Sequence, residues 1–378
     1  MKVLHITSDW KWTGSASPML ELLLAQRERG YEAELVCASP PDAADGSLRE
    51  HAIAAGVAPV LEIGRGRGAN PWRDRGDLKR LRILFAQRSF DLVHSWHTRD
   101  HLLAAFAASA SRRAGRTRLV RSYPSAAPIA DRPWNRWLFG RASDGLLCVS
   151  PAAAARNAAL CRGRPLAGAF GAVDLARFRP GPRDDALRAR LGLTSQQRVL
   201  GVVARVQAHR RFDLLLAAAA PLLRADPLVR LLVVGRGSRI DALAKEPARR
   251  LGIQDRVVFA GYRRDDYAEV LRCIDVFTLL VPGSDGGCRA LLEAAASGIP
   301  AVTTARGALP EIVVDGETGF VVEEQAQALA NAWGRLLADS ARRAEMGAAA
   351  RRRALREFSR AKYADVVDRL YRALGCIE

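Results

Sequence analysis

Asp285-Gly286-Gly287-Cys288-Arg289-Ala290-Leu291-Leu292-Glu293, running on to Gly298-Ile299-Pro300 and Ala301-Val302-Thr303, is the most informative stretch of the 378 residues. It reads as a loop, a helix from Arg289 to Ala296, a turn and a strand. A glycine pair lets backbone N–H groups approach a ligand. The helix that follows adds free amides and the positive end of its dipole. A diphosphate fits over such a turn. Glu293, about one turn into the helix, can accept bonds from ribose hydroxyls, and Asp285 from sugar hydroxyls. The spacing equally suits a structural reading, in which Glu293 caps the helix and Asp285 solvates a loop.

The alternation continues in both directions. Around this stretch, strands are predicted at Val199 to Val203, Leu231 to Val234, Val257 to Phe259 and Val276 to Leu280, with helices at Phe212 to Leu223 and Tyr267 to Leu271. The first half has the same rhythm: strands at Lys2 to Ile6, Ala33 to Ala38, Leu92 to His94, Leu119-Val120 and Leu146 to Val149. One helix there is opened by Ser17-Pro18, with Leu20, Leu23 and Leu24 as its apolar face; another surrounds Leu78, Leu81 and Phe85. Such alternation means a parallel sheet covered on both faces. At Phe178-Arg179-Pro180-Gly181-Pro182 the rhythm breaks, as in a linker. The length exceeds what one hydrophobic core usually organises. The predicted architecture is two Rossmann-like α/β domains, residues 1–180 and 181–355. A helical tail, 356–378, buries Tyr363, Val366, Val367, Leu370 and Tyr371.

In open α/β sheets, ligands bind beyond the carboxyl ends of the strands. Arg205, with Arg210 and Arg211 behind it, falls in the loop after Val199 to Val203. Guanidinium groups there can clamp a diphosphate; in a chain this rich in arginine, a plain surface position is the alternative. Gly235, in Gly235-Arg236-Gly237, is either part of a ligand cradle or a tight strand exit. Gly14 follows the first strand without the partner glycines of a dinucleotide fingerprint, which disfavours a dehydrogenase.

Taken in order, these pieces resemble the retaining glycosyltransferases of family 4, which have the GT-B fold. The resemblance runs through Val202-Val203-Ala204-Arg205 with Arg210, Val257-Val258-Phe259-Ala260-Gly261, the acids Asp285 and Glu293, and Gly298-Ile299-Pro300-Ala301-Val302. It ends on Gly307, Pro310-Glu311-Ile312-Val313 and Asp315-Gly316-Glu317-Thr318-Gly319. Asp91-Leu92-Val93-His94 and Gly171-Ala172-Val173-Asp174 fit more loosely. The resemblance implies two Rossmann-like domains facing a central cleft, with a C-terminal helix returning to the first. It also implies a nucleotide-diphosphate sugar donor, retention of anomeric configuration and no metal. By position, Arg205 and Arg210 stabilise the leaving diphosphate, Asp285 contacts the transferred sugar and Glu293 binds the donor ribose. Gly14, Gly235, Gly286 and Gly287 are assigned with them to donor binding. Three departures stand out: Asp285 replaces a Glu, Arg210 replaces a Lys, and the stretch Arg121 to Ser125 lacks the family's loop His. His97 is a candidate to stand in for that histidine, or else an ordinary polar loop residue. The expected acceptor is a glycan or a lipid-linked molecule, in cell-surface polysaccharide or glycolipid synthesis. A GT-B nucleotide-sugar epimerase and a non-catalytic sugar-nucleotide-binding protein are the rival readings.

The formal charge is +18, carried almost wholly by arginine, with lysine only at 2, 11, 79, 245 and 362. Either a GC-rich coding sequence or an anionic partner explains it. Nucleic acid is not expected, because no nucleic-acid motif accompanies the charge. Arg132-Pro133-Trp134-Asn135-Arg136-Trp137-Leu138-Phe139 interleaves cations and aromatics. It suits an anionic membrane surface, or tryptophans packed under a loop. Gly64-Arg65-Gly66-Arg67-Gly68 reads as a basic surface connection. Six scattered cysteines without a C-x-x-C pair suggest neither zinc nor a disulfide framework, and fit a reducing compartment. No apolar run is long enough to cross a bilayer, and Val3 to Ile6 is too short for a signal peptide. The expectation is a cytoplasmic protein, peripheral on the inner membrane face, using neither metal nor other cofactor.

Overall fold

The computed structural model describes every residue except 13, 43–45, 67, 69, 284, 285 and 378. The chain divides into two compact units, residues 1–172 with 360–378, and residues 173–359. Seven strands form the sheet of the first: β1 (Lys2–Ile6), β2 (Glu32–Ala38), β3 (Leu61–Ile63), β4 (Leu92–Ser95), β5 (Arg118–Tyr123), β6 (Gly145–Cys148) and β7 (Leu166–Gly168). Their order is β3-β2-β1-β4-β5-β6-β7, all parallel. The chain winds outward from β1 to β3, returns to lay β4 on the other side of β1, and winds out again. Where that order reverses, the strand ends open a crevice.

Side chains alternate across this sheet as its pleat requires. Val3, Leu92, Val120 and Leu147 pack under the helices Ala16–Glu28 and Arg360–Ala373. Leu4, Ile6, Val93 and Leu119 pack on the other face, with Leu81 and Leu84 of the helix Pro71–Gln87. The predicted stripe of the tail is buried at Tyr363, Val367, Leu370 and Tyr371. Ion pairs fasten that last helix: Arg29 donates to Asp365 at 2.6 Å and Asp368 at 2.5 Å, and Arg360 to Glu21 and Glu28 at 2.9 and 2.6 Å.

Six parallel strands form the second sheet: β8 (Arg198–Val203), β9 (Val229–Val234), β10 (Val257–Gly261), β11 (Val276–Leu279), β12 (Ala301–Thr304) and β13 (Gly319–Val322), ordered β10-β9-β8-β11-β12-β13. Trp333 of the helix Ala326–Ala338 is fully buried, and its indole N–H donates to Thr278 Oγ1 at 2.9 Å. A buried indole keeps its polar tip partnered in this way.

Three local expectations are corrected. The first helix starts at Ala16, not at Ser17-Pro18, and Ser17 is buried in its first turn. Arg121, Ser122 and Tyr123 are not loop but the end of β5. The stretch read as a linker is packed within the second unit: Phe178 is buried against Tyr267, and Pro180 lies beside Gly298.

Candidate functional site

In the second unit, the connections leaving β8, β9 and β11 build the carboxyl edge of the sheet. After β8 come Arg205, a turn at Ala208–Arg210 and Arg211 in a left-handed conformation (φ 58°), before the helix Phe212–Ala225. After β9 comes Gly235-Arg236-Gly237. The two loops lie backbone to backbone: Ala204 N–H donates to Val234 O at 3.0 Å, and Val206 N–H to Arg236 O at 3.2 Å. Gly235 sits at φ 143°, where an added Cβ would overlap the Ala204 carbonyl oxygen. This gives Gly235 a structural cause, the tight strand exit.

Arg205 is exposed and makes no hydrogen bond or ion pair among the described residues. Arg210 is half-buried and donates to Val281 O at 2.7 Å, tying the loop after β8 to the loop after β11. That second loop carries Gly286 at φ 62° and Gly287; Asp285 lies outside the described residues. Cys288, also left-handed at φ 50°, precedes the helix Arg289–Ala296. A non-glycine residue adopts that conformation only where its surroundings impose it.

Glu293 is 3% exposed. It does not cap the helix. The Tyr267 hydroxyl donates to its Oε2 at 2.9 Å, and Arg289 Nε donates to its Oε1 at 2.6 Å. Arg289 stands one turn back on the same helix face, and the Tyr267 ring is held edge-on by Phe178, 5.7 Å away. Burial, with the Glu293 carboxylate beside it, holds the Tyr267 phenol well above its ordinary pKa, so it remains a donor. A carboxylate accepts at about four lone-pair positions. Two are taken by these bonds. Spacing and the family resemblance single out Glu293; in the sequence Arg289 marks only the start of its helix, and Tyr267, from another helix, carries no local signal.

The carboxyl edge of the first sheet is made differently. Asp9 Oδ2 accepts from His97 Nε2 at 2.9 Å and from Ser15 Oγ at 2.8 Å, and all three residues are buried. Facing a carboxylate, Nε2 must carry the ring proton. The His97 backbone N–H donates to Asp100 Oδ2 at 3.0 Å where the helix Thr98–Ala107 begins. His97 thus clamps the loop after β4 to the loop after β1. Gly14 lies half-buried in the second of these, beside Ser15. Arg121, in the stretch that lacks the family's histidine, donates to Thr98 Oγ1 at 2.7 Å and lies over the Phe139 ring at 4.5 Å. Burial lowers its pKa to about 10.

Beneath this edge runs a buried chain of polar side chains that no motif announces. The Trp96 indole donates to His5 Nδ1 at 3.3 Å, so His5 Nε2 carries the proton and donates to Gln26 Oε1 at 2.7 Å. Gln26 Nε2 donates to the Tyr371 oxygen at 3.4 Å, and Tyr371 donates to His94 Nδ1 at 2.7 Å. His94 Nε2 then donates to Ser122 Oγ at 2.9 Å. One direction of donation satisfies every link, which fixes both histidine tautomers. Burial holds both rings neutral, with His5 lowered to about 4 and His94 well below its ordinary value. Among the described residues, no three His, Cys, Asp or Glu side chains group as a metal site, and no helix is long and apolar enough to cross a membrane.

Known proteins share both halves. The family "Glycosyltransferase Family 4" matches residues 12–165, and "Glycosyl transferases group 1" matches residues 183–353. A D-inositol 3-phosphate glycosyltransferase of Nocardia farcinica is 39% identical over 184 residues, covering 46% of this chain and 40% of that protein. A GDP-mannose-dependent alpha-(1-6)-phosphatidylinositol monomannoside mannosyltransferase of Mycolicibacterium smegmatis is 35% identical over 192 residues, 48% of this chain and 50% of that one. The alignments span half or less of these relatives' lengths. In structure, Anabaena HepE in complex with UDP and glucose superposes with a TM-score of 0.80 at 19% identity, covering 99% of this chain and 100% of the other. A Rickettsia africae glycosyltransferase also gives 0.80, at 15% identity, over 99% of this chain and 98% of that one. With two parallel-sheet units of this fold, and family matches over nearly all of both, the chain belongs to the GT-B glycosyltransferases of the family 4 type.

Proposed function

We propose that the protein transfers a sugar from a nucleotide-diphosphate donor to a glycan or lipid-linked acceptor, with retention at the anomeric carbon. The observation that carries this reading is Glu293, a buried carboxylate oriented by Tyr267 and Arg289 beside two arginine-bearing loops at a carboxyl sheet edge. Support comes from relatives named for inositol phosphate and mannosyl transfer, and from a structural neighbour that binds UDP and glucose.

In this reading the ribose hydroxyls bond to Glu293 alongside Tyr267 and Arg289. The diphosphate lies over Gly286 and Gly287 at the start of the helix Arg289–Ala296. As the bond from the anomeric carbon to the phosphate oxygen breaks, negative charge grows on the diphosphate. Arg205, exposed and without a partner among the described residues, and Arg210 stabilise it. The acceptor hydroxyl attacks the same face, and its proton passes to the departing phosphate oxygen. No metal is invoked. Asp285 orients the transferred sugar, and Gly14 and Gly235 line the donor site. We take the enzyme to work in the cytoplasm, peripheral to the membrane that holds the acceptor.

A thermal-shift series with UDP, GDP and ADP, and their sugars, tests the donor site. Specific binding raises the unfolding midpoint by mass action, about 2.7 kcal/mol at a hundredfold excess over Kd. The rise is expected with one base and is lost in Glu293→Gln. No rise with any nucleotide defeats the reading. Product analysis separates the rivals: donor turnover without acceptor identifies an epimerase, and binding without turnover identifies a non-catalytic protein.

A further inference from the structure

Three arginines of the described residues are buried, Arg99, Arg121 and Arg188, and two of them are fully matched. Arg99 donates from Nε to Asp74, from Nη1 to Gly64 O and from Nη2 to Asp77. Arg188 sets its three nitrogens on the carbonyl oxygens of Thr194, Cys273 and Gln197. Arg121 differs. It is 4% exposed, and its Nη2 donates to Thr98 Oγ1 at 2.7 Å, but its buried Nε and Nη1 have no hydrogen-bond partner. The Phe139 ring lies against the guanidinium and offers no lone pair. With a pKa lowered only to about 10, the group is charged at neutral pH. Buried cations are retained where something pairs with them.

The place of this guanidinium says what that partner is. Thr98, directly after His97, is the first residue of the helix Thr98–Ala107. The first amides of a helix have no partner inside it, and its dipole is positive at that end. Arg121 stands in β5 opposite Ser95 of β4, the strand whose exit loop leads into this helix. Cation and helix start therefore converge on one point of the carboxyl edge of the first sheet. Two acids stand close by and are turned to other groups. Asp9 accepts from His97 and Ser15, and Asp100 Oδ2 accepts from the His97 amide. Burial raises the pKa of Asp100, which weakens its hold on Arg121.

We propose that Arg121 and the first amides of the helix Thr98–Ala107 form a binding site for a phosphate-type oxyanion. Guanidinium and helix amides meet such a group with charge-assisted hydrogen bonds. A cation would be repelled there, and a neutral hydroxyl compound would leave the charge unmatched. A phosphoester carried by the acceptor and free inorganic phosphate share this chemistry. The first source rests on the transferase reading of the proposed function and makes the acceptor a phosphorylated molecule; the site itself does not need that reading.

Unfolding of the full chain in urea tests it, in chloride and in phosphate buffers of equal ionic strength, for wild type and Arg121→Met. Methionine fills the space without an unmatched charge, so in chloride the variant is expected to be at least as stable as wild type. Phosphate is expected to raise the wild-type midpoint, and to bind Arg121→Met about tenfold or more weakly. The wild-type response is also expected to persist in Arg205→Ala with Arg210→Ala, whose cations belong to the second unit. Glycerol 3-phosphate and glycerol sort the two sources. Tighter binding of glycerol 3-phosphate than of phosphate, without a response to glycerol, assigns the site to the acceptor's phosphoester. Equal affinities assign it to free phosphate, and either result supports the site. Identical phosphate responses of wild type and Arg121→Met, or loss of the response in the Arg205 and Arg210 variant, overturn the proposal. So does an Arg121→Met protein that is destabilised equally in both buffers, which gives Arg121 a purely structural role. A phosphate response that survives when no nucleotide shifts the midpoint defeats the transferase reading and leaves the oxyanion site standing.

Discussion

At the carboxyl edge of the second sheet, backbone meets backbone: the loop after β8 lies on the loop after β9 through main-chain bonds, with glycine where a side chain would intrude. At the carboxyl edge of the first, side chain meets side chain. Asp9 holds His97 and Ser15, and beneath them a chain of six residues, from three strands, two helices and the loop after β4, passes donation in one direction from Trp96 to Ser122. The first kind of edge is rigid because nothing else fits. The second is held by side-chain hydrogen bonds that run through histidine rings, and so it depends on protonation as well as shape. A donor's ribose and diphosphate suit the former, since backbone amides and a few charges recognise them.

The largest effect is expected where the comparison is steepest. Gly235→Ala forces a Cβ into the Ala204 carbonyl oxygen at a φ of 143°, and is expected to cost about 3 kcal/mol or more, read from the urea midpoint. A near-normal midpoint would show that the two loops part easily. The edge would then not be rigid in the way described.

The first unit is expected to respond to pH instead. The folded pKa of His5 is about 4, against 6.5 ordinarily, so between these values the unfolded chain binds a proton that the folded chain refuses. Stability is therefore complete above pH 6.5 and falls as pH drops toward 4, by about 1.4 kcal/mol per pH unit and about 3 kcal/mol in all. His94 and His101, lowered by burial too, act with the same sign. Unfolding midpoints followed from pH 7.5 to 4 check this, and a flat profile would remove the protonation argument. Tyr371→Phe, which strips Gln26 and His94 of a partner each, is expected to cost about 2 kcal/mol at neutral pH. It tests the chain link that ties the last helix to the sheet.

The two edges also differ in how far they were legible. Around Glu293 the signal is local: a glycine pair, a helix start and two acids eight residues apart lie within nine residues. The β-branched runs of β8, β9 and β11 likewise announce strands. In the first unit, the partners of the buried chain lie 21 to 345 residues apart, and no local pattern relates His5 to Gln26 or Tyr371 to His94. Arg121 misled for a related reason. A charged residue at the end of Leu119-Val120 reads as loop, but Thr98 and the Phe139 ring shelter it inside β5. β3 and β7 are edge strands of three residues, too short for an alternating pattern to emerge. Asp285, the other acid of the deciding stretch, lies outside the described residues.

The smallest effect on stability, and the sharpest separation of the two edges, belongs to Arg205. It is exposed, it takes part in no hydrogen bond or ion pair among the described residues, and it follows directly on the paired backbone of Ala204. Nothing in the fold needs its guanidinium. Arg205→Ala is therefore expected to leave the urea midpoint within about 0.5 kcal/mol of wild type. Arg210 behaves otherwise, because its bond to Val281 O joins two loops; Arg210→Ala should move the midpoint by about 1 kcal/mol. If Arg205 serves the departing diphosphate, its loss lowers kcat for transfer by about a hundredfold while the folded state is untouched. A variant that is stable and fully active would show that the charge of Arg205 is ornamental. The burden of stabilising the leaving group would then fall on Arg210 and the helix amides.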